Sequence, residues 1–213
     1  MTALTLALSK GRILEESLPL LERAGLAPAG DAARQLRVPS QDPNVSLLII
    51  RPSDVPTYVA HGGADLGFVG KDILLEHGGA ELYEPLDLGI ARCRMSVATR
   101  ADSPLAHGER PARRLRVATK YPAIAQRHFG SRGEQVEIIK LYGSMELAPL
   151  VGLSDVIVDL VATGGTLRAN GLVETEVIRE ISTRVVVNRA AHKLRHPGVA
   201  DLLARLKAAV DAG

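Results

Sequence analysis

Asp155-Val156-Ile157-Val158-Asp159-Leu160-Val161-Ala162-Thr163-Gly164-Gly165-Thr166-Leu167 reads as an apolar strand over 156–160 that ends in an acid and runs through a Gly- and Thr-rich turn into a helix. Strand, tight turn and helix in direct succession make the βα unit of an α/β protein. The turn has the parts of an anion cradle. Gly164 and Gly165 let the backbone come close to a phosphate, the amides up to Leu167 donate to it, and Thr163 and Thr166 add hydroxyl donors. Asp159 is then placed for the hydroxyls of a ribose. No Lys follows Gly165, so a Walker-type triphosphate site is excluded and a sugar monophosphate suits the loop better. The plain alternative is an ordinary strand-to-helix turn capped by Thr.

The same rhythm recurs on both sides of this stretch. Residues 4–8 form a buried strand, followed by Ile13, Leu14, Leu18, Leu21 and Ala24 at helical spacing until Gly25. Residues 45–50 and 66–69 are further strands, each followed by a helix start, at Pro52-Ser53 and at Asp72. The stretch 82–99 is one bent strand or two, broken by Asp87, Gly89 and the Arg92-Cys93-Arg94 triplet, and residues 101–114 are a polar loop. Strands at 115–119, 136–139 and 156–160 then repeat the pattern. Strands at 177–181 and 184–187 carry the chain back to a final amphipathic helix, 199–210. The fold expected is α/β with mainly parallel sheets in two lobes: 1–92 with 183–213, and 93–182, the second lobe carrying the loop. Ligands of such sheets lie at the carboxyl ends of the strands, and the cleft between two lobes is the site expected.

Composition narrows the function. A chain of 213 residues, 46% hydrophobic, has enough apolar material for a core. Lys and Arg number 26 against 24 Asp and Glu, so the net charge of +2 demands no nucleic-acid partner. Four Tyr, two Phe and no Trp leave little for base stacking. Cys93 is the single cysteine, which excludes an internal disulfide and a clustered thiolate site and fits a reducing compartment. No cationic leader precedes a long apolar region, and the apolar runs at 47–50 and 156–162 fall far short of the ~20 residues that span a bilayer. A cytoplasmic protein without a membrane segment is expected.

Several side chains stand out. Lys10 and Arg12 flank Gly11 at the start of a helix, where the macrodipole disfavours cations; a bound anion would remove the conflict, and extension into solvent is the alternative. Glu15 and Glu16 match the dipole and need no function. Arg34 and Arg51 lie next to strands and are either site cations or surface charges. Asp72 and Glu146 open helices, where acids also serve as caps or dipole partners. Lys120 and Tyr121 are secondary candidates. His192 and His196 have the spacing of a metal pair, without an H-E-x-x-H pattern or a third ligand. Arg110, Arg113, Arg114 and Arg116 read as a solvated loop and strand edge, and Cys93 as packing.

The segment from Glu146-Leu147-Ala148-Pro149-Leu150-Val151-Gly152-Leu153-Ser154 through Leu167 closely resembles the signature of the ATP phosphoribosyltransferases. Ala7-Leu8-Ser9-Lys10-Gly11-Arg12, Asp65-Leu66-Gly67-Phe68-Val69-Gly70-Lys71-Asp72, Ala118-Thr119-Lys120-Tyr121-Pro122 and Asn170-Gly171-Leu172 are similar to the same family, so the resemblance covers nearly the whole chain. It resembles the short form, which lacks a C-terminal regulatory domain. The resemblance implies a fold similar to type II periplasmic binding proteins. It also implies a homodimer that joins a partner similar to histidyl-tRNA synthetase for full activity and histidine feedback.

By the same resemblance the adenine N1 of ATP attacks the anomeric carbon of phosphoribosyl pyrophosphate and pyrophosphate leaves. The nucleophile is a neutral lone pair, so alignment and charge stabilisation carry the load. Lys10, Arg12 and Arg34 are then the expected electrostatic catalysts, Arg34 resembling the arginine that short-form enzymes place near the pyrophosphate. Gly11, Arg51, Asp72, Glu146, Asp159 and Thr163 to Leu167 bind the substrates. Mg²⁺ is expected on the substrate phosphates, with no direct protein ligand set.

Two other functions fit parts of the sequence. A binding module of the periplasmic or effector-domain type shares the two-lobed architecture, and the phosphate loop argues against it. A phosphoribosyltransferase acting on a free base or orotate shares the loop in outline but commonly has two adjacent acids before it; here Leu160 follows Asp159.

Overall fold

The computed structural model of the chain describes residues 3–30, 35–78, 82–109 and 111–213. Two compact units emerge, Met1–Ala91 with Ser182–Gly213, and Arg92–Ile181. The chain enters through β1 (Leu4–Ser9), α1 (Arg12–Arg23), β2 (Arg37–Pro39) and β3 (Val45–Ile50). A single 3-10 turn, Pro52–Asp54, leads into α2 (Val55–Ala60), β4 (Leu66–Gly70), α3 (Lys71–His77) and β5 (Leu82–Asp87). The second unit comprises β6 (Cys93–Arg100), β7 (Leu115–Thr119), α4 (Pro122–Gly130), β8 (Val136–Lys140), α5 (Leu147–Leu150), β9 (Val156–Val161), α6 (Gly165–Ala169) and β10 (Leu172–Ile181). The chain then returns as β11 (Thr183–Asn188), α7 (Arg189–Leu194) and α8 (His196–Asp211).

The first sheet has the order β2-β3-β1-β4-β11-β5. Its centre is a parallel trio, with β1 in register with β3 from Leu4↔Val45 to Ser9↔Ile50 and with β4 from Leu6↔Leu66 to Leu8↔Phe68. β5 shares their direction through β11, which pairs antiparallel with both β4 and β5. Helices cover both faces, which is why these strands are apolar without alternation. On one face Leu6, Leu8, Leu47, Phe68 and Val185 pack with Leu21 of α1 and Leu202 and Leu206 of α8; on the other Ala7, Val69 and Val186 meet Val55 and Val59 of α2. Gly67 is the point of closest approach: an added Cβ would lie 2.6 Å from Val55 Cγ1 and 2.9 Å from Val59 Cγ2.

The second sheet, β10-β6-β9-β7-β8, again centres on a parallel trio, β9-β7-β8, with β6 antiparallel to both β9 and β10. Ala98, Ala118, Ile157 and Val161 form one core layer with Met145, Ala148, Leu167 and Leu172. No helix among the described residues is long and apolar enough to cross a membrane.

The structure differs from the sequence reading in its details. Of the two alternatives for 82–99 the structure has the two-strand one, while the polar loop 101–114 contains a 3-10 turn, Pro104–His107, that the reading lacks. β9 continues to Val161, so Asp159 lies inside the strand and not at its end. β10 begins at Leu172, five residues before the expected start at 177, and α7 has no counterpart in the reading.

Candidate active site

In the first unit, three neighbouring parallel strands end at one edge of the sheet and deliver the expected residues there. Lys10 follows β1, and its amide donates to the Ile50 carbonyl at 2.9 Å. Arg51 follows β3, and Asp72 is the second residue of α3 after β4. The carboxyl ends of a parallel trio thus gather Lys10, Gly11, Arg12, Arg51 and Asp72. Gly11 sits at φ +82°, ψ −145°, a conformation open to glycine, and a Cβ there would meet nothing within 4 Å, so backbone strain fixes the residue type. Asp72 is buried, and its Oδ1 lies 2.2 Å from where a Cβ on Gly70 would stand, so the bare Gly70 makes room for the carboxylate. Arg34 lies outside the described residues.

Arg12 opens α1 without a side-chain cap, and its Nε donates to Glu16 Oε1 at 2.6 Å. Glu16 Oε2 accepts the Ala91 amide at 2.7 Å. The amide of Ala91, and after it Arg12, holds the Glu16 carboxyl below the ordinary carboxylate range. Sequence reasoning gave Glu16 no part beyond the helix dipole; its second partner is 75 residues away, and no local pattern signals it. Lys10 and Arg51 are exposed and have no ion pair among the described residues, which leaves their charge for an anionic ligand.

In the second unit, β9 runs into Ala162-Thr163-Gly164, and α6 begins at Gly165. Gly164 turns the chain at φ +72°, and Thr163 Oγ1 accepts the Gly165 amide at 3.3 Å, folding the loop on itself. Thr163 and Thr166 are exposed, whereas Leu167 is buried in the core, so it offers a ligand only its backbone amide. The Asn170 amide and Nδ2 both donate to the Thr166 carbonyl, at 3.2 and 2.9 Å, closing the short helix. Asp159 is half-buried opposite Ser96 of β6, with Oδ1 accepting the Leu160 amide at 2.8 Å. Glu146 stands half-buried at the head of α5, on the segment that follows β8. Lys120 and Tyr121 follow β7 at the same edge, the Lys120 ammonium 6.0 Å from the Tyr121 ring centroid.

Two cations at this loop were missed in the sequence. Arg94 of β6 grips Glu174 with Nε at 2.9 Å from each carboxylate oxygen and donates from Nη1 to the Ala162 carbonyl at 3.1 Å, bracing the start of the loop. The guanidinium of Arg168 lies over Gly164, its Nη1 3.0 Å from where a Cβ on that glycine would be. Helical spacing signals Arg168, four residues after Gly164; strand pairing alone brings in Arg94.

The remaining candidates have structural settings. Arg113 and Arg116 are not a merely solvated cluster: both hold Asp155, at the amino end of β9, through contacts of 2.7 to 3.1 Å. A cavity of about 320 Å³ lies at that end, lined by Arg100, Arg116 and Ser154, at the opposite end of β9 from the glycine loop. Arg110 lies outside the described residues. His192 packs tilted against Tyr83 and edge-on against His196, with ring centroids 5.1 and 5.4 Å away. Cys93 is half-buried at the start of β6.

A family model described as HisG: ATP phosphoribosyltransferase matches residues 51–208. An ATP phosphoribosyltransferase of Burkholderia cenocepacia is 60% identical over 206 residues, 95% of this chain and 95% of its own. One from Methylibium petroleiphilum is 57% identical over 210 residues, 98% of each. Among solved structures, the ATP phosphoribosyl transferase (HisG:HisZ) complex from Thermotoga maritima superposes with a TM-score of 0.85 at 35% identity, covering 99% of this chain and 100% of that one. The periplasmic aliphatic sulphonate binding protein SsuA from Escherichia coli shares the fold alone, with a TM-score of 0.61 at 15% identity over 99% of this chain and 73% of its own. With relatives matched nearly end to end and the glycine loop and Lys10-Gly11-Arg12 turn both built, the chain belongs to the ATP phosphoribosyltransferase family.

Proposed function

We propose that this chain is a short-form ATP phosphoribosyltransferase catalytic subunit, joining ATP to phosphoribosyl pyrophosphate in the first step of histidine biosynthesis. The observation that carries the reading is the loop from Thr163 to Leu167, with Gly164 at positive φ, exposed hydroxyls on Thr163 and Thr166, and Arg168 beside it. It suits the 5-phosphate of the ribose, with Asp159 nearby for its hydroxyls.

The lone pair of adenine N1 forms a bond to the anomeric carbon as the carbon–oxygen bond to pyrophosphate breaks, and that electron pair leaves on the pyrophosphate oxygen. No proton has to be removed for the attack. The protein's task is to hold the two substrates in line and to meet the charge that grows on the leaving group. Lys10, Arg12 and Arg51 supply positive charge at one edge of the first unit, and Arg34 is assigned the same task. Asp72, at that edge, orients the ATP.

Mg²⁺ on the phosphates would neutralise part of the leaving-group charge. We assign this cation to the phosphate oxygens of the substrates and not to a protein ligand set. Glu146 and Asp159 are the acids beside the loops available to its water shell or to ribose hydroxyls. The Thermotoga maritima structure is a HisG:HisZ complex, and we assign this chain a partner of that kind, similar to histidyl-tRNA synthetase, together with a homodimeric state and a cytoplasmic location.

The test is the absorbance change on mixing the protein, with and without a HisZ-type subunit, with ATP, phosphoribosyl pyrophosphate, Mg²⁺ and pyrophosphatase. Formation of phosphoribosyl-ATP is expected, with Arg12→Ala and Thr166→Ala each reducing kcat/KM by about 100-fold or more. Turnover with a free base but not with ATP would transfer the chain to another phosphoribosyltransferase class. Ligand binding without turnover would make it a binding module.

A further inference from the structure

Glu16 has two partners of different kinds. Its Oε1 takes the Nε of Arg12 at 2.6 Å, and neither Nη atom of Arg12 has a partner among the described residues. The guanidinium is thereby fixed at one corner, with the terminal nitrogens left for a ligand. Its Oε2 takes the amide of Ala91 at 2.7 Å. Ala91 is the last residue of the first unit before the chain crosses to the second. It is also a non-glycine residue at φ +51°, a strained backbone that persists where the surroundings hold it.

The rest of this exit segment is clamped as well. The Leu88 amide donates to the Thr183 carbonyl at 2.9 Å, and the Thr183 amide donates back to Ile90 at 3.1 Å. The Gly89 amide donates to Asp87 Oδ1 at 2.9 Å, and Ser182 Oγ, at the return crossing, donates to the same carboxylate at 2.8 Å. Glu16 links this clamped segment to Arg12, a side chain of the proposed site.

We infer that Glu16 is a positioning residue of the reaction, holding Arg12 for phosphate binding and tying it to the backbone at Ala91 where the chain leaves the first unit. The inference rests on the role proposed for Arg12. A carboxylate is required because two donors must be met at once. A glutamine has a single acceptor oxygen and would leave either Arg12 or Ala91 unmatched.

The experiment is a double-mutant cycle in the assembled enzyme, using phosphoribosyl-ATP formation and thermal melting of each variant. Glu16→Ala is expected to reduce kcat/KM by about 10- to 100-fold, the scale of a misplaced substrate-aligning group. Glu16→Gln should fall between Glu16→Ala and the parent. In an Arg12→Ala background the same Glu16→Ala change should alter kcat/KM by less than about twofold, because a residue acting through another has nothing left to act on. The melting shift from losing the Ala91 contact should persist in that background, which separates the structural part of the role from the catalytic part. Equal losses in the two backgrounds, or a Glu16→Ala enzyme as active as the parent, would overturn the inference. An Arg12→Ala enzyme with full activity, or a parent that makes no phosphoribosyl-ATP, would overturn the reading of the site itself and this inference with it.

Discussion

Arg113 closes on Asp155 with two parallel hydrogen bonds, Nη1 to Oδ2 and Nη2 to Oδ1, each 2.7 Å. The Arg116 amide adds 2.8 Å to Oδ2 and its Nη2 3.1 Å to Oδ1. Through its backbone Asp155 also accepts from Thr99 Oγ1 at 2.8 Å, so one residue ties β7, β9 and β6 together. Arg113 first, and then Arg116, hold the carboxyl far below the ordinary carboxylate range against the desolvation that would raise it.

A depressed carboxyl stabilises the fold when ionised. Its contribution is complete above the unfolded value, about 3.9, and is lost as pH falls from there towards the folded value. Asp155→Asn is therefore expected to cost roughly 1–3 kcal/mol at pH 7 and distinctly less at pH 3. Arg113→Ala should cost less, about 1 kcal/mol or under, because its side chain is 56% exposed and water screens the pair. Melting of parent and variants at the two pH values decides the matter; a parent-to-Asn gap that does not narrow at pH 3 would sink the assignment.

Gly67 has no room for a methyl group. The atoms it would strike, Val55 Cγ1 and Val59 Cγ2, belong to fully buried side chains of α2 with no exit to solvent. Gly67→Ala is expected to destabilise by about 1–3 kcal/mol, the usual range for overpacking. Combining it with Val55→Ala should recover part of that loss, because the second change opens the space the first one fills. If the double variant melts below both single variants, crowding against α2 is the wrong explanation.

How far the sequence discloses this depends on the range of the interaction. The strands 45–50 and 115–119 stand where their apolar runs put them, because Ser46 and Arg116 interrupt runs whose β-branched and aliphatic majority stays legible. β10 was half hidden: it is an edge strand with register shifts at Glu174/Glu176 and Val177/Arg179, and it exposes Val173 and Val177 while Glu174 and Glu176 are half-buried, so polarity does not mark its buried face. The glycine loop and Lys10-Gly11-Arg12 were legible because their chemistry is local. Arg94 on the Ala162 carbonyl and Glu16 on the Ala91 amide join residues 68 and 75 positions apart, and their partners are set by folding alone.

Arg94 braces the start of the loop proposed to hold the phosphate. Half of its grip is on Glu174 of the neighbouring strand and half on the Ala162 carbonyl. Arg94→Lys keeps the charge but loses the fork that meets both at once. The expected result is a rise in KM for phosphoribosyl pyrophosphate of about 3- to 30-fold, the loss of one or two modest hydrogen bonds, with little change in KM for ATP. Steady-state kinetics with each substrate varied in turn would show it, and an equal effect on both KM values would remove Arg94 from the loop's support.

Gly164 permits a test that separates backbone strain from crowding of the site. Gly164 at φ +72° and Gly152 at φ +70° have nearly the same left-handed backbone, but a Cβ on Gly152 would meet nothing within 4 Å, while one on Gly164 would press on Arg168 Nη1 at 3.0 Å. An alanine at either position costs roughly 1 kcal/mol from the conformation alone, so Gly152→Ala and Gly164→Ala should lower the melting temperature by a similar amount, about 2–4 °C. The displaced Arg168 end is flexible and adds little to that cost. Catalysis should distinguish the two, because on the proposed reading Gly164 belongs to the loop that binds the ribose phosphate and Gly152 does not. Gly164→Ala is expected to lose about 10- to 100-fold in kcat/KM for phosphoribosyl pyrophosphate, and Gly152→Ala to lose almost none. Matching kinetic losses in the two variants would mean that the glycine serves the turn alone and that the phosphate is held elsewhere.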